Sequence, residues 1–346
     1  MGDKSSIEWT DATWNPIVGC SILSPGRKPG YINHYDGTTE QSKAGPVWTG
    51  KVALAPDKIL LAPLGWKKPR RIFVNSMGDL FHESVPDEWI VRVLDIIRRT
   101  SVDGGSNCGK ISGAGQHIYQ VLTKRAARMA AFMPRLRFDS RDDRGLYLSD
   151  DDGPAIVMKN LWLGVSAERQ QEANYRIPLL LVTPAVARFV SLEPLLGPIY
   201  LTEINYAGYR LDALAGFCEP HTINFEGLDQ VIVGGESGRS ARPMHPQWAR
   251  SLRDQCAAAD VPFFFKQWGE WLPGEANYGQ FDPRPMNAYR RCDNHSYDWP
   301  NCSTVQNFGT HADVWSGDLT TRRVGKRAAG RLLDGVEYNG FPEVAK

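Results

Sequence analysis

Seven short runs of almost unbroken apolar character punctuate the chain: WNPIVG (Trp14 to Gly19), RIFVN (Arg71 to Asn75), HIYQVLT (His117 to Thr123), LWLGVS (Leu161 to Ser166), ARFVSL (Ala187 to Leu192), DQVIVG (Asp229 to Gly234) and VPFFFK (Val261 to Lys266). A strand with one wet face alternates apolar and polar residues, so runs apolar at nearly every position predict strands covered on both faces. The stretches between them leave room for crossover helices. Together these features predict a parallel α/β sheet or barrel. Helices are expected at PDEWIVRVLDIIRRT, KRAARMAAFMP and HPQWARSLRDQCAAAD. The first opens with Pro86, Asp87 and Glu88 and closes with Arg98 and Arg99, charges that complement the helix dipole. Its Trp89, Ile90, Val93, Leu94 and Ile97 share one helical face and are expected to meet the sheet. Residues 27 to 69, 101 to 116, 138 to 158 and 272 to 320 break the rhythm with Pro, Gly, Asp or polar-rich sequence. The division expected is a barrel over residues 1 to 271, with a polar insertion and basic C-terminal segment, 272 to 346, packing on it.

In parallel α/β barrels, functional groups collect at the carboxyl ends of the strands. Here those positions are consistently polar. Cys20 follows the first run, Asn75-Ser76-Met77-Gly78-Asp79 the second, Thr123-Lys124-Arg125 the third, Ser166 and Glu168 the fourth, and Glu193 the fifth. Gly234-Gly235-Glu236-Ser237-Gly238 follows the sixth and Lys266-Gln267-Trp268 the seventh. Any one of these could simply mark where a strand leaves the core, but recurrence after seven strands points to a shared pocket. The GGESG turn lacks both the Walker lysine and the full dinucleotide fingerprint, so alone it specifies no phosphate site.

Composition narrows the classes. The chain has 346 residues, 42% of them hydrophobic and 23% charged, which is enough for a substantial core without covalent staples. Its 40 Lys+Arg nearly cancel 39 Asp+Glu, which argues against a global polyanion-binding surface and leaves room for a local one. Six cysteines, with no C-x-x-C pair, suit a reducing cytoplasm better than a secreted disulfide scaffold. The most apolar stretch, IPLLLVTPAVARFV, is short and interrupted by Pro184 and Arg188, so neither a membrane span nor a signal peptide is expected.

The strings SIEWTDATWNPIVGCSILSPG, RRIFVNSMGDLFHESVP, YQVLTKR, LWLGVSAE, FVSLEPLLGPI, FFFKQWGEW and VGKRAAGRLLDG, with VIVGGESG and ARPMHPQW, together resemble a phage-associated family of the radical S-adenosylmethionine (SAM) superfamily. The family is a domain of unknown function, distantly similar to spore photoproduct lyase. The resemblance runs from about Ser6 to Gly335 and implies a partial (β/α) TIM-type barrel with loop insertions and an irregular C-terminal extension. It also implies a [4Fe-4S] cluster held by three cysteines spaced C-x6-C-x2-C-Y after the first strand, with SAM on the fourth iron. In this chain that frame reads Cys20, then Arg27, then Gly30-Tyr31, so only Cys20 remains of the ligand set. By the same resemblance Met77, Gly78 and Asp79 stand where the methionine amino group binds, and Ser166 and Glu168 where ribose contacts occur. Glu193 and Glu236 would face the cavity. The bland alternatives are a turn cap for Asp79 and ion pairs of Glu193 and Glu236 with Lys124, Arg125 or Lys266.

Two further constellations stand out. Cys292, His295, Cys302 and His311 place four zinc-type ligands within twenty residues, although their spacing matches no familiar finger. Lys67, Lys68, Arg70 and Arg71, beside Trp66, form a basic segment suited to nucleic acid, and Arg322, Arg323, Lys326, Arg327 and Arg331 form another. The expected function is a radical SAM-like protein with a degenerate cluster motif that binds a nucleotide-like ligand or nucleic acid. The alternatives are an active radical SAM enzyme acting on nucleic acid, and a barrel hydrolase using two of Asp79, Glu168, Glu193 and Glu236 as its carboxylate pair.

Overall fold

A computed structural model describes residues 5, 7–21, 23, 39–42, 45–48, 50–101, 116–139, 145–220, 223–238, 241–273, 290–291 and 320–343. Cys292, His295, Cys302 and His311, the zinc candidates, lie outside the described residues. The core is a curled, seven-stranded, all-parallel half-barrel. Its strands are β1 (Ala12–Trp14), β2 (Arg71–Val74), β3 (Ile118–Thr123), β4 (Leu161–Ser166), β5 (Ala187–Leu192), β6 (Gln230–Gly234) and β7 (Phe263–Gln267), and they lie side by side in chain order.

Four crossovers carry helices longer than one turn: α1 (Asp87–Arg99), α2 (Ala126–Phe132), α3 (Gln170–Leu181) and α4 (Pro246–Ala258). The β5–β6 crossover instead forms a four-stranded antiparallel sheet spanning residues 204 to 224. The period-2 geometry of each strand sorts its residues onto two faces. Val121, Leu163, Val165, Val190, Val231, Val233 and Phe265 face outward into the helix-covered core. Trp162, Phe189, Ile232 and Phe264 face the concave side.

The lower part of that concave side is filled. Trp9, in the segment before β1, packs on Phe73 at 4.7 Å and on Phe189 at 6.0 Å between ring centroids. Phe341 approaches from the other edge, 5.4 Å from Phe264, and lies under the Arg71 guanidinium at 3.8 Å. Residues 338 to 340 run antiparallel along β7, through Phe265 N to Tyr338 O at 3.1 Å and Gly340 N to Phe263 O at 2.9 Å. The two terminal segments thereby close the gap that an open half-barrel leaves. Downstream of β7, Trp271–Pro273 pairs with Thr320–Arg323 in a separate small sheet.

The first strand lies before the apolar run WNPIVG and overlaps it only at Trp14. Asn15-Pro16 ends it at Trp14, and Ile17–Val18 turns away to pair antiparallel with Ala53–Leu54. Proline has no N–H for the ladder, and the Asn15 side chain is committed to accepting from Met77 N at 2.9 Å. Cys20 therefore stands six residues beyond β1 rather than at its end. Helix α3 escapes a simple periodicity reading because Pro178 lies inside it and it is buried on several sides, including Glu172, Ala173, Arg176, Ile177 and Leu180.

Gly164 marks a close approach, because a Cβ there would stand 2.6 Å from the Phe189 ring. Gly164→Ala should therefore cost about 1–3 kcal/mol in urea unfolding, as overpacking of a tight interior does; an unchanged midpoint would refute the packing argument. His245, just before α4, accepts from Gln247 N at 3.0 Å, and burial with nearby Arg250 pushes its pKa down to about 2. Its unfolded value is near 6.5, so the unfolded chain takes up a proton that the folded chain refuses. Stability should be unaffected above that pH and fall below it, by about 2 kcal/mol at pH 5. His245→Asn keeps an N-terminal acceptor and should flatten this dependence in pH-resolved denaturation curves.

Candidate functional site

The site is assembled around Thr123-Lys124-Arg125, the three residues that end β3 and lead into α2. Asp79, after β2, is 2% exposed and receives four donors. Thr123 Oγ1 donates at 2.6 Å, Lys124 N at 3.1 Å, Phe81 N at 3.1 Å and Arg125 Nη1 at 3.4 Å. Asp79 is thus both a turn cap and the anchor of a buried guanidinium. Arg125 continues across the rim, donating to Ser21 Oγ at 2.8 Å, Ser21 O at 3.3 Å, Cys20 Sγ at 3.5 Å and Glu83 at 3.4 Å. Burial works against its charge, but Asp79, Cys20 and Glu83 outweigh this and raise its pKa.

Lys124 reaches the other way, pairing with Glu168 after β4. Glu168 is fully buried and also accepts from Arg176 Nη1 at 3.2 Å, while the same nitrogen donates to Ser166 O at 2.7 Å. On the far side of the mouth, Lys266 Nζ meets both oxygens of Glu193 at 2.7 and 2.8 Å. Gln267 Nε2 adds a contact to Glu193 at 3.3 Å. Glu236 pairs with Arg242, which donates through its backbone N at 2.7 Å and through Nε and Nη2 at 2.8 and 2.9 Å. Five carboxylates, Asp79, Glu83, Glu168, Glu193 and Glu236, thus face five cations, Arg125, Lys124, Arg176, Lys266 and Arg242.

Met77 and Gly78 serve the wall of the site. Met77 O accepts from Gly19 N at 3.3 Å, and a Cβ at Gly78 would lie 2.8 Å from Ile17 O. The glycines of GGESG are likewise explained by contact with the chain after β7. A Cβ at Gly235 would meet Trp268 O at 1.9 Å, and Gly235 N and Gly238 N are spent on Gln267 O and Glu270 Oε1. They form no anion cradle.

Polar groups without a partner also occur here, among them Asn75 Nδ2 and both amide atoms of Gln120. Ser166 and Ser191 are paired in register on β4 and β5 and share the concave face with Phe189 and Gly164. They are 6% and 3% exposed, and neither hydroxyl has a hydrogen-bond partner among the described residues. Ser191 was legible in ARFVSL, since alternation puts it on the same face as Phe189.

His82 is a further group that the motifs did not single out. Ser84 N donates to its Nδ1 at 3.1 Å, so the proton of the neutral ring sits on Nε2, which donates to Ser21 Oγ at 2.9 Å. Burial, then Arg125, lowers its pKa and keeps the ring neutral. A base activating Ser21 would need the opposite tautomer, so this pair positions the Ser21 loop and does not make a nucleophile. The four carboxylates of the hydrolase reading, Asp79, Glu168, Glu193 and Glu236, each accept from guanidinium, ammonium or amide donors.

A model of the family described as a protein of unknown function, DUF5131, matches residues 4–342. The chain belongs to this family. Neither the curated proteins nor the solved structures yielded a match. Among the described residues of this DUF5131 chain, Cys20 is the one thiol in the segment after β1. The described thiols other than Cys20 are Cys218, in the small antiparallel sheet, and Cys256, in α4, and Arg125 lies against the Cys20 sulfur. Among the described residues no group of three or more His, Cys, Asp and Glu side chains gathers as a metal site. No described helix is long and apolar enough to cross a membrane.

Arg125→Gln should cost about 3–5 kcal/mol, the penalty for leaving a buried carboxylate without its partner. A denaturant-melt cycle with Asp79→Asn should return a coupling of about 0.5–3 kcal/mol. Additive effects of the two substitutions would show that the pair is not the brace described.

Proposed function

We propose that this chain is a radical SAM-type half-barrel that binds a nucleoside-like ligand at its strand ends and does not itself generate a radical. The observation that carries the reading is the pair of hydroxyls of Ser166 and Ser191, on largely buried residues and without a hydrogen-bond partner among the described residues, side by side on the concave face shared with Phe189. Polar groups of largely buried residues are normally satisfied, so the hydroxyls of a bound molecule are natural partners for these two. They supply donors and acceptors suited to ligand hydroxyls, with the Glu193–Lys266 pair beside them. By resemblance the ligand is SAM or its nucleoside portion. The phage association and the radical SAM kinship rest on that resemblance alone.

The chemistry is limited by Cys20. A cluster needs three thiolates, whereas this sulfur shares its surroundings with a guanidinium held by Asp79 and Glu83. Asp79 and Glu168 accordingly act as positioning groups that fix the strand ends. Ser166, Ser191, Glu193 and Lys266 form the surface offered to the ligand.

Isothermal titration of the protein with SAM and with adenosine tests this directly. Binding is expected, and the Ser166→Ala/Ser191→Ala variant should bind about tenfold or more weakly, as loss of two hydrogen bonds near 1 kcal/mol each implies. No heat with either ligand would remove the ligand assignment. Anaerobic reconstitution yielding about four irons per chain, with reductive cleavage of SAM, would overturn the non-radical assignment.

A further inference from the structure

Below the two serines, the concave side of the half-barrel carries polar atoms that its packing leaves unsatisfied. Gln120, in the middle of β3, is 0% exposed, and neither its Oε1 nor its Nε2 has a hydrogen-bond partner. Alternation along β3 sends Tyr119 and Val121 into the helix-covered core and Ile118, Gln120 and Leu122 to the concave side. The ladder sets Gln120 between Phe73 on β2 and Trp162 on β4, so the three side chains form one row across adjacent strands. Trp162 Nε1 is likewise buried and unpartnered. A whole carboxamide and an indole N–H thus stand on neighbouring strands with nothing bonded to them, in an interior where polar groups are normally paired because leaving them unpaired is costly.

Trp9 packs onto the same row. Its ring lies 4.7 Å from Phe73 and 6.0 Å from Phe189 between centroids, and its own Nε1 is buried without a partner. An indole stacks on the two phenyl rings but has a single polar atom on its edge, and that atom does not meet Gln120. The segment is tied to β2 just after Trp9, where Thr10 Oγ1 and Asp11 N both donate to Arg71 O at 2.9 Å.

A purine is a planar bicyclic ring like an indole, with nitrogen atoms and exocyclic groups around its edge. A carboxamide pairs with adenine through two hydrogen bonds, its oxygen accepting from the amino group and its N–H donating to a ring nitrogen, which is the pattern Gln120 leaves open. Ser166 stands four residues beyond Trp162 on the same face of β4, about 13 Å along the strand. A base, its ribose and the hydrogen bonds at either end can bridge that span. Midway, Gly164 carries no side chain, and the Phe189 ring that meets Trp9 lies against it.

We infer that the seat of Trp9 is an adenine subsite, in which Gln120 reads the edge of the base and Trp9 is the plug that a bound adenine displaces. This rests on the nucleoside reading of the mouth and extends it, since the serines take the ribose hydroxyls and Gln120 selects the base.

Isothermal titration with adenosine and with purine riboside, which lacks the amino group, provides the test, together with hydrogen exchange over residues 7–11. The parent should bind adenosine about tenfold more tightly than purine riboside. Gln120→Leu, similar in volume and free of the unpaired amide, should lose that preference and bind adenosine about tenfold or more weakly, with a thermal midpoint no lower than the parent's. Saturating adenosine should speed exchange of the Asp11 amide in the parent, because the segment leaves Arg71. If neither nucleoside binds the parent, the nucleoside reading of the mouth falls and the subsite with it. If adenosine binds and the two-serine variant weakens it, but folded Gln120→Leu keeps the parent's affinity, the mouth reading stands and the subsite is overturned, its amide being served by water. Equal affinity of the parent for the two nucleosides overturns base recognition whatever the variant does. Unchanged exchange over residues 7–11 with adenosine bound overturns the plug.

Discussion

Arg125 is the interaction on which the mouth of the barrel depends. Its guanidinium is buried where it must be paired or the fold pays heavily, and it joins the end of its own β3 to two others: Asp79 and Glu83 after β2, and Cys20 with Ser21 in the segment beyond β1. Lys124, the preceding residue, extends the same turn to Glu168 after β4. One tripeptide thus fixes the relative position of β1 through β4 at their carboxyl ends. The fork of five donors makes arginine suited to this, since a single ammonium could not reach a thiol, a hydroxyl and two carboxylates in different directions.

This brace divides the mouth into unlike halves. On the β1–β4 side the charged groups are spent on one another, and their burial leaves little for a ligand. On the β4–β7 side the chain places small residues, Ser166, Ser191 and Gly234, over an aromatic floor, with Glu193 and Lys266 partly open above them. Gly234 belongs to this design because the Glu193 side chain lies across it, with a carboxyl carbon 3.3 Å from where a Cβ would stand. The half-barrel therefore offers hydroxyls and a neutralised ion pair, a surface matched to neutral polar groups more than to a bare anion.

Most of this architecture could be read from the chain, for physical reasons that also explain the exceptions. LWLGVS and ARFVSL coincide with β4 and β5 because a strand buried on both faces must be apolar throughout, and such runs have sharp ends. WNPIVG misled because apolar character continues past Pro16 although the ladder cannot, and the displaced Cys20 followed from that. Helix α3 carries no clean amphipathic stripe, so its Arg176, the second partner of Glu168, gave no signal. The small sheet over residues 204 to 224 was invisible as a crossover because it replaces a helix with short, half-exposed strands. The carboxylates of the rim were found by position, but their partners required the fold: Glu236 takes Arg242 from its own loop, not a cation from across the mouth.

The polarity of a parallel sheet then separates two kinds of charge that a sequence count merges. At the carboxyl ends, cations and carboxylates converge from different strands and meet at hydrogen-bond distance, because each strand contributes one residue to a shared, poorly solvated space. At the amino ends many pairs stay within one crossover, as Arg137 with Asp151 and Arg188 with Glu226 do. A formal net charge of +1 thus hides a rim in which charges from different strands neutralise one another. Charge at the rim ties strand ends together, whereas these amino-end pairs tie a crossover to itself.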